Sequence, residues 1–246
     1  KSPAIIKINQ QITKIAPTLS RVVIYGESGT GKDIIAKEIH KNSLNKNGPF
    51  IILNAALLDP ENLESELFGM QDNISNKIGY IEKAGNGTLF IDEVGEMPLQ
   101  TQAKILRVLT DKNFTKRGGN ELIKLNCRII CSSTKNLEQL TNDGSFRKDL
   151  FHRFNVVTIK VPTLNERFDD IDLLIDYFTE IFSKENNQKK IDLKPIIKTK
   201  YINYDWPGNI RELRNVIERY SILGEKYDDA SSSEKLEVLQ NKNVTS

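Results

Sequence analysis

The chain has 246 residues, enough for one large domain or a domain with a small lobe, and its 35 Lys and Arg against 33 Asp and Glu leave a formal charge of +2. So even a balance does not announce nucleic-acid binding, and the longest mostly apolar stretch, Phe50 to Leu58, is broken by Asn54 and too short to span a membrane. The sequence opens on Lys1 rather than Met and carries no charged-then-apolar leader, so the expectation is a cytoplasmic piece of a longer protein.

Ile5, Ile8, Ile12 and Ile15 recur at helical spacing and predict an amphipathic helix over 3–15. A β-branched run, Val22 to Ile24 with Tyr25, then leads straight into Gly26-Glu27-Ser28-Gly29-Thr30-Gly31-Lys32, with a helix-like stretch from Ile34 to His40 behind it. Strand, glycine-rich turn and helix are the context a phosphate-binding loop requires. Glycines let backbone N–H groups converge on an anion, the helix points its positive end there, and Lys32 would reach the outer phosphates as a point charge. Asp33 stands where the general pattern has the Ser or Thr that meets Mg2+.

Pro49 to Leu53 reads as a second strand ending at Asn54, Asn62 to Phe68 as a helix, and the polar residues 70–78 as a loop. Gly87 to Glu93 is a buried strand ending in two acids, at the carboxyl end where open α/β sheets bind ligands. By itself an acidic pair ending a strand is usually a solvated loop. Beside a phosphate loop the reading reverses: Asp92 could hold Mg2+ and Glu93 could polarise an attacking water. Pro98 opens a helix that includes Gln102 to Leu109, Arg117-Gly118-Gly119-Asn120 is a turn, and Cys127–Ser133 and Val156–Val161 are further strands. Strands alternating with helices predict a parallel α/β sheet. Cys127 and Cys131 lie about 13 Å apart along an extended strand, too far to bridge, and read as buried thiols of a reducing compartment.

After Pro162 the strand signals stop, and Ile171–Phe182, Pro195–Tyr204 and Ile210–Leu223 predict a small helical lobe. Asn209 with Glu212 reads as a capping box for the last helix, and Trp206 beside Pro207-Gly208 as lobe core. The expected organisation is an α/β nucleotide-binding subdomain over 1–161, a helical lid over 162–224 and a polar tail over 225–246. Arg147 and Arg153 could reach a phosphate across a subunit boundary; taken alone they read as arginines on an exposed helix. His40 and His152 have no ligand cluster at metal spacing.

Together these stretches resemble the AAA+ domain of bacterial enhancer-binding proteins, the NtrC family. The motifs are Gly-Glu-Ser-Gly-Thr-Gly-Lys (26–32), Glu-Ser-Glu-Leu-Phe-Gly (64–69), Gly-Thr-Leu-Phe-Ile-Asp-Glu (87–93), Lys-Ile-Leu-Arg-Val-Leu (104–109), Phe-Arg-Lys-Asp-Leu (146–150) and Trp-Pro-Gly-Asn-Ile-Arg-Glu-Leu-Arg (206–214). The resemblance implies a P-loop NTPase fold with a helical lid, ATP with Mg2+, and an acidic residue after the loop lysine, as Asp33 is. It implies roles by position: Gly26 to Asp33 bind nucleotide, Asp92 holds the metal, and Glu93 orients water. Asn54 is the switch asparagine coupled to Glu93, Ser133 and Thr134 occupy the sensor I region where the family often has Thr-Asn, Arg147 and Arg153 are trans fingers, and Arg211 is sensor II. It also implies ring assembly, commonly a hexamer, from a dimer at rest.

Sigma-54 activators carry a Gly-Ala-Phe-Thr-Gly-Ala loop where this chain has residues 70–78, with no Phe between Phe68 and Phe90. The segment is about five residues shorter than the family pattern, which costs a hairpin roughly 8 Å of reach. That combination resembles the NtrX-like branch of two-component response regulators, which implies a receiver domain facing a sensor kinase and a DNA-binding helix-turn-helix, both outside this sequence. The competing readings are a standard sigma-54 activator and a nucleotide-gated assembly module with negligible turnover.

Overall fold

The computed structural model describes residues 2–72, 76–186 and 191–224. It divides into two compact units, one running Pro3–Pro162 and the other joining Ser2 to the described residues from Thr163 onward. The expected polar tail at 225–246 lies outside the described residues.

The first unit runs α1 (Pro3–Ile15), β1 (Val22–Tyr25), α2 (Lys32–Lys41), β2 (Phe50–Asn54), α3 (Pro60–Phe68), β3 (Gly69–Gln71), β4 (Asn76–Ile78), α4 (Tyr80–Ala84) and β5 (Thr88–Asp92). It continues with α5 (Leu99–Asp111), β6 (Asn113–Phe114), β7 (Ile123–Lys124), β8 (Arg128–Ser133), α6 (Leu137–Asn142), α7 (Lys148–Phe154) and β9 (Val157–Lys160). Five strands form a parallel sheet in the order β2-β5-β8-β1-β9. Every residue of β8 is buried, as a central strand covered on both faces requires. Alternate residues feed two cores: Leu89, Ile91, Ile129 and Cys131 on one face, Phe90, Ile130, Val22 and Ile24 on the other. Cys127 and Cys131 are free and buried. Burial pushes the Cys127 thiol up to about 11 and the fully enclosed Cys131 thiol further still.

Residues 70–78, expected as a loop, instead carry an antiparallel pair, with Gly69 opposite Ile78 and Gln71 opposite Asn76. Its register comes from outside the segment, which is why hydrophobic patterning missed it. Gln71 donates its N–H to the Arg117 carbonyl (2.8 Å), and Arg117 returns one to Gly69 (3.0 Å). The buried Lys116 bonds Asn76 at 2.8 Å and Glu82 at 3.0 Å. The short helices α4 and α6 were not read as elements either; neither is long enough to establish a period.

The second unit holds α8 (Ile171–Glu185), α9 (Pro195–Ile202) and α10 (Asn209–Leu223) around Phe178, Phe182, Leu213, Ile217 and Trp206. Trp206 is 2% exposed, donates Nε1–H to the Tyr201 carbonyl at 2.9 Å and meets Tyr201 and Tyr204 edge-on. The capping box is displaced by one residue. Glu212 reaches back to the N–H of Gly208, while Asn209, at φ 54°, turns its side-chain oxygen to the N–H of Leu164 (2.8 Å). Trp206→Ala empties the centre of this core and removes the Nε1–H bond to the Tyr201 carbonyl. We expect a loss of about 3–5 kcal/mol, read from urea unfolding followed by circular dichroism; a loss below about 1 kcal/mol would contradict the assignment of Trp206 as the core's centre.

Candidate nucleotide site

The glycine-rich loop leaves β1 at the carboxyl end of the sheet and delivers the chain into α2. Gly29 and Gly31 adopt φ 77° and 95°, left-handed values that side chains resist. A Cβ on Gly26 would sit 3.0 Å from Thr30 Oγ1 and 3.1 Å from Val161. Ile35, Ala36 and Ile39 bury one face of α2 in the core, which fixes its N-terminus. Gly31 supplies no side-chain cap there, so the first N–H groups have no intrahelical acceptor and suit an anion. Lys32, 7% exposed, folds across the loop and donates to the carbonyls of Gly26 (2.9 Å) and Glu27 (3.3 Å). Asp33 is exposed and pairs with Lys37 at 3.2 Å, an ordinary surface helix pair.

The acidic pair ends β5, flanked by β2 and β8. The sheet register sets Asn54 opposite Asp92, and its amide donates to Asp92 Oδ2 at 3.2 Å. The Ser132 hydroxyl bonds Asp92 Oδ1 from the other side and accepts the Glu93 N–H at 3.1 Å. Glu93 sits at φ 55°, ψ 51°, a left-handed conformation that costs a non-glycine residue on the order of 1–3 kcal/mol and turns its carboxylate toward the loop. Its Oε2 accepts from both the N–H and the hydroxyl of Thr134 at 2.9 Å, and its Oε1 pairs with Lys32 Nζ at 3.1 Å. Burial acts to raise the Glu93 pKa. The Thr134 donors and the Lys32 charge outweigh it and hold the group below its ordinary value.

Lys32, Asp92, Glu93 and Asn54 therefore converge, with one difference from expectation. Asn54 engages Asp92 rather than Glu93, and the glutamate is held by Thr134. Ser132 and Thr134 are the residues sequence reasoning passed over as partners of the acids; a hydroxyl run ending the strand beside β5 was the available signal. Arg147, just before α7, and Arg153, within it, stand apart. Arg147 forms a two-pronged pair with Asp149 (2.7 and 3.0 Å), Arg153 donates to Thr110 Oγ1 (3.2 Å), and neither touches the loop or the acids. Arg211 lies in the first turn of α10 in the helical unit.

The donor set fits a hard cation bound chiefly by substrate phosphates. Asp92 is a carboxylate steadied on both oxygens, and Mg2+ in phosphoryl-transfer sites takes one or two carboxylates and keeps waters. Among the described residues no group of three or more acids, His or Cys forms a metal cage by itself.

A sheet end that gathers a glycine cradle, a buried lysine and two fixed carboxylates defines a P-loop nucleoside triphosphatase, here followed by a helical lid. The Sigma-54 interaction domain family matches residues 1–160 and the AAA+ ATPase lid domain matches 165–238. The chain belongs to the sigma-54 interaction domain family and is an ATPase of the AAA+ type. It is 44% identical over 227 residues to the regulatory protein AtoC of Escherichia coli, covering 90% of this chain and 49% of that one. It is 40% identical to the nitrogen assimilation regulatory protein NtrX of Azorhizobium caulinodans, covering 94% and 51%. NtrX of Brucella abortus, solved in complex with ATP, is 42% identical with a TM-score of 0.86, covering 94% of this chain and 54% of that one. The chain thus spans about half the length of the relatives it matches. No described helix is long and apolar enough to cross a membrane.

Proposed function

We propose that the chain is the ATP-hydrolysing module of an NtrX-like two-component response regulator, assembling with nucleotide into a ring without remodelling sigma-54 polymerase. The convergence of Lys32, Asp92 and Glu93 carries the enzymatic part. Gly26 to Asp33 cradle the phosphates and Lys32 meets the outer ones. Asp92, steadied by Asn54 and Ser132, would hold Mg2+, which supplies charge neutralisation on the phosphates when bound. Glu93, ionised at neutral pH, takes the proton of the attacking water. Arg147 and Arg153 act on the nucleotide of the adjacent copy, and Arg211 on the chain's own. A receiver domain and a helix-turn-helix in the remainder of the protein would supply phosphorylation and DNA binding, and the ring would be a hexamer built from dimers.

The regulatory part rests on residues 70–78. Gln71, Asp72, Asn73, Ser75, Asn76 and Lys77 are groups water already satisfies, so burial against a partner gains little, and the segment has no aromatic or Arg anchor. Its base is also stitched to residues 116 and 117. The expected result is no capture of sigma-54 in a pull-down with ADP and aluminium fluoride. Stable capture that vanishes when residues 70–78 become a Gly-Ser linker would sink this reading.

A second reading has one observation in its favour. Thr134 and Lys32 occupy both oxygens of Glu93, which suits a nucleotide-gated assembly module with slow turnover. Steady-state ATPase assays over a range of protein concentrations separate the two.

A further inference from the structure

At the opposite end of the sheet from the glycine loop, an open cleft of about 590 Å³ lies where the chain enters β1, β8 and β9. Arg21, Lys112, Lys124 and Arg128 line it, and no aspartate or glutamate does. None of the four cations forms an ion pair with a described residue, and the Arg21 guanidinium makes no hydrogen bond to one. The whole chain carries only +2, so this is a local concentration of charge and not the edge of a general excess.

The site is built. Arg128, 3% exposed, donates to the carbonyls of Ile15 (3.1 Å), Ala16 (2.9 Å) and Ser20 (3.2 Å). It thereby ties the end of α1 to the entry of β1 and fixes the backbone that carries Arg21. Its own charge is met by carbonyl dipoles and not by a carboxylate, so the cleft wall stays positive. Burial, and after it the like charge of Arg153, disfavour the charged form of Arg21. The charge of an arriving anion offsets both by favouring the guanidinium's charged form. Leu19, Leu125 and Val156 complete the lining with apolar surface, and the volume falls in the range of small-ligand sites.

We propose that this cleft binds a phosphate-bearing nucleotide, with Arg21 as its main phosphate contact and the apolar wall against its ring. Four residues of β1, roughly 13 Å, separate it from the glycine loop, so one nucleotide does not occupy both places. The nucleotide comes either free from solution or held in the loop of a second copy of the chain. The second source rests on the assembly proposed above; the first does not.

The test uses the full 246-residue chain. A fluorescent ATP analogue is titrated into dilute Lys32→Ala, whose own loop is weakened. Saturable binding that falls at least about tenfold in Lys32→Ala/Arg21→Ala, is kept by Arg21→Lys and weakens with salt supports the free source. The second-copy source predicts no such binding when dilute. Instead Arg21→Ala lowers steady-state turnover of the concentrated chain at least about tenfold, with ATP affinity at the chain's own loop unchanged and Arg21→Lys restoring the rate. If Arg21→Ala does not fold, Lys112→Glu, on an exposed residue, must act in the same direction. Neither effect appearing overturns the proposal. If wild-type turnover still rises with concentration in that case, the assembly reading stands and only the cleft fails; a turnover flat with concentration marks the failure of the assembly.

Discussion

Glu93→Gln is expected to bind ATP and fail to hydrolyse it. The amide keeps the shape of the side chain and loses the capacity to take a proton from water, a contribution of about 10²–10⁴-fold in comparable chemistry. Lys32→Ala is expected instead to lose ATP affinity, because Lys32 is a buried cation at the mouth of the loop. Isothermal titration and phosphate release distinguish the two, and normal ATP affinity in Lys32→Ala would overturn the site assignment. The same variant has a pH signature. A carboxylate whose folded pKa is depressed contributes stability above its unfolded pKa, lost as pH falls through the folded value. Unliganded Glu93→Gln therefore melts below wild type at neutral pH, and the difference closes on acidification below the carboxylate range.

Arg153→Ala loses on the order of 10³-fold or more in turnover if it acts on the nucleotide of a neighbouring copy. Its only described bond is to Thr110 Oγ1, so little in the chain's own fold depends on its guanidinium. Wild-type specific activity then rises steeply with protein concentration. Mixing Arg153→Ala with Lys32→Ala restores part of the rate, because hybrid sites receive the loop from one copy and the arginine from the other. Activity independent of concentration, with no rescue on mixing, would assign Arg153 to the surface.

The core of the α/β unit was legible because strands such as Val22–Tyr25, closed by Gly26, and Leu89–Ile91, closed by Asp92, are short apolar runs with a clear stop, and such runs have few alternatives. Helix α1 was legible from its isoleucine spacing over thirteen residues. The hairpin β3–β4 was not, since its register depends on Arg117 and Lys116, some forty positions away in the chain. The start of α10 was misplaced by one because Asn209 and Glu212 form a plausible cap locally, while tertiary contact draws the Asn209 oxygen to Leu164. At the site, Lys32 and the acidic pair were readable from motif context. The grip of Thr134 on Glu93 was not, because it arises from two strands lying side by side and from a left-handed turn at Glu93 that no local pattern announces.

The two cysteines give the sheet a built-in clock. Alkylating reagents attack thiolate, and burial holds Cys127 near 11 and Cys131 beyond it, so both are silent at neutral pH while the strands are closed. Label enters Cys131 only when the packing over its face of the sheet, which it shares with Leu89, Ile91 and Phe154, comes away, an event that exposes the centre of the unit. Cys127, 9% exposed just before the same strand, needs a smaller opening. The ratio of the two labelling rates thus separates fraying at the end of the sheet from its complete dissolution, without any engineered probe.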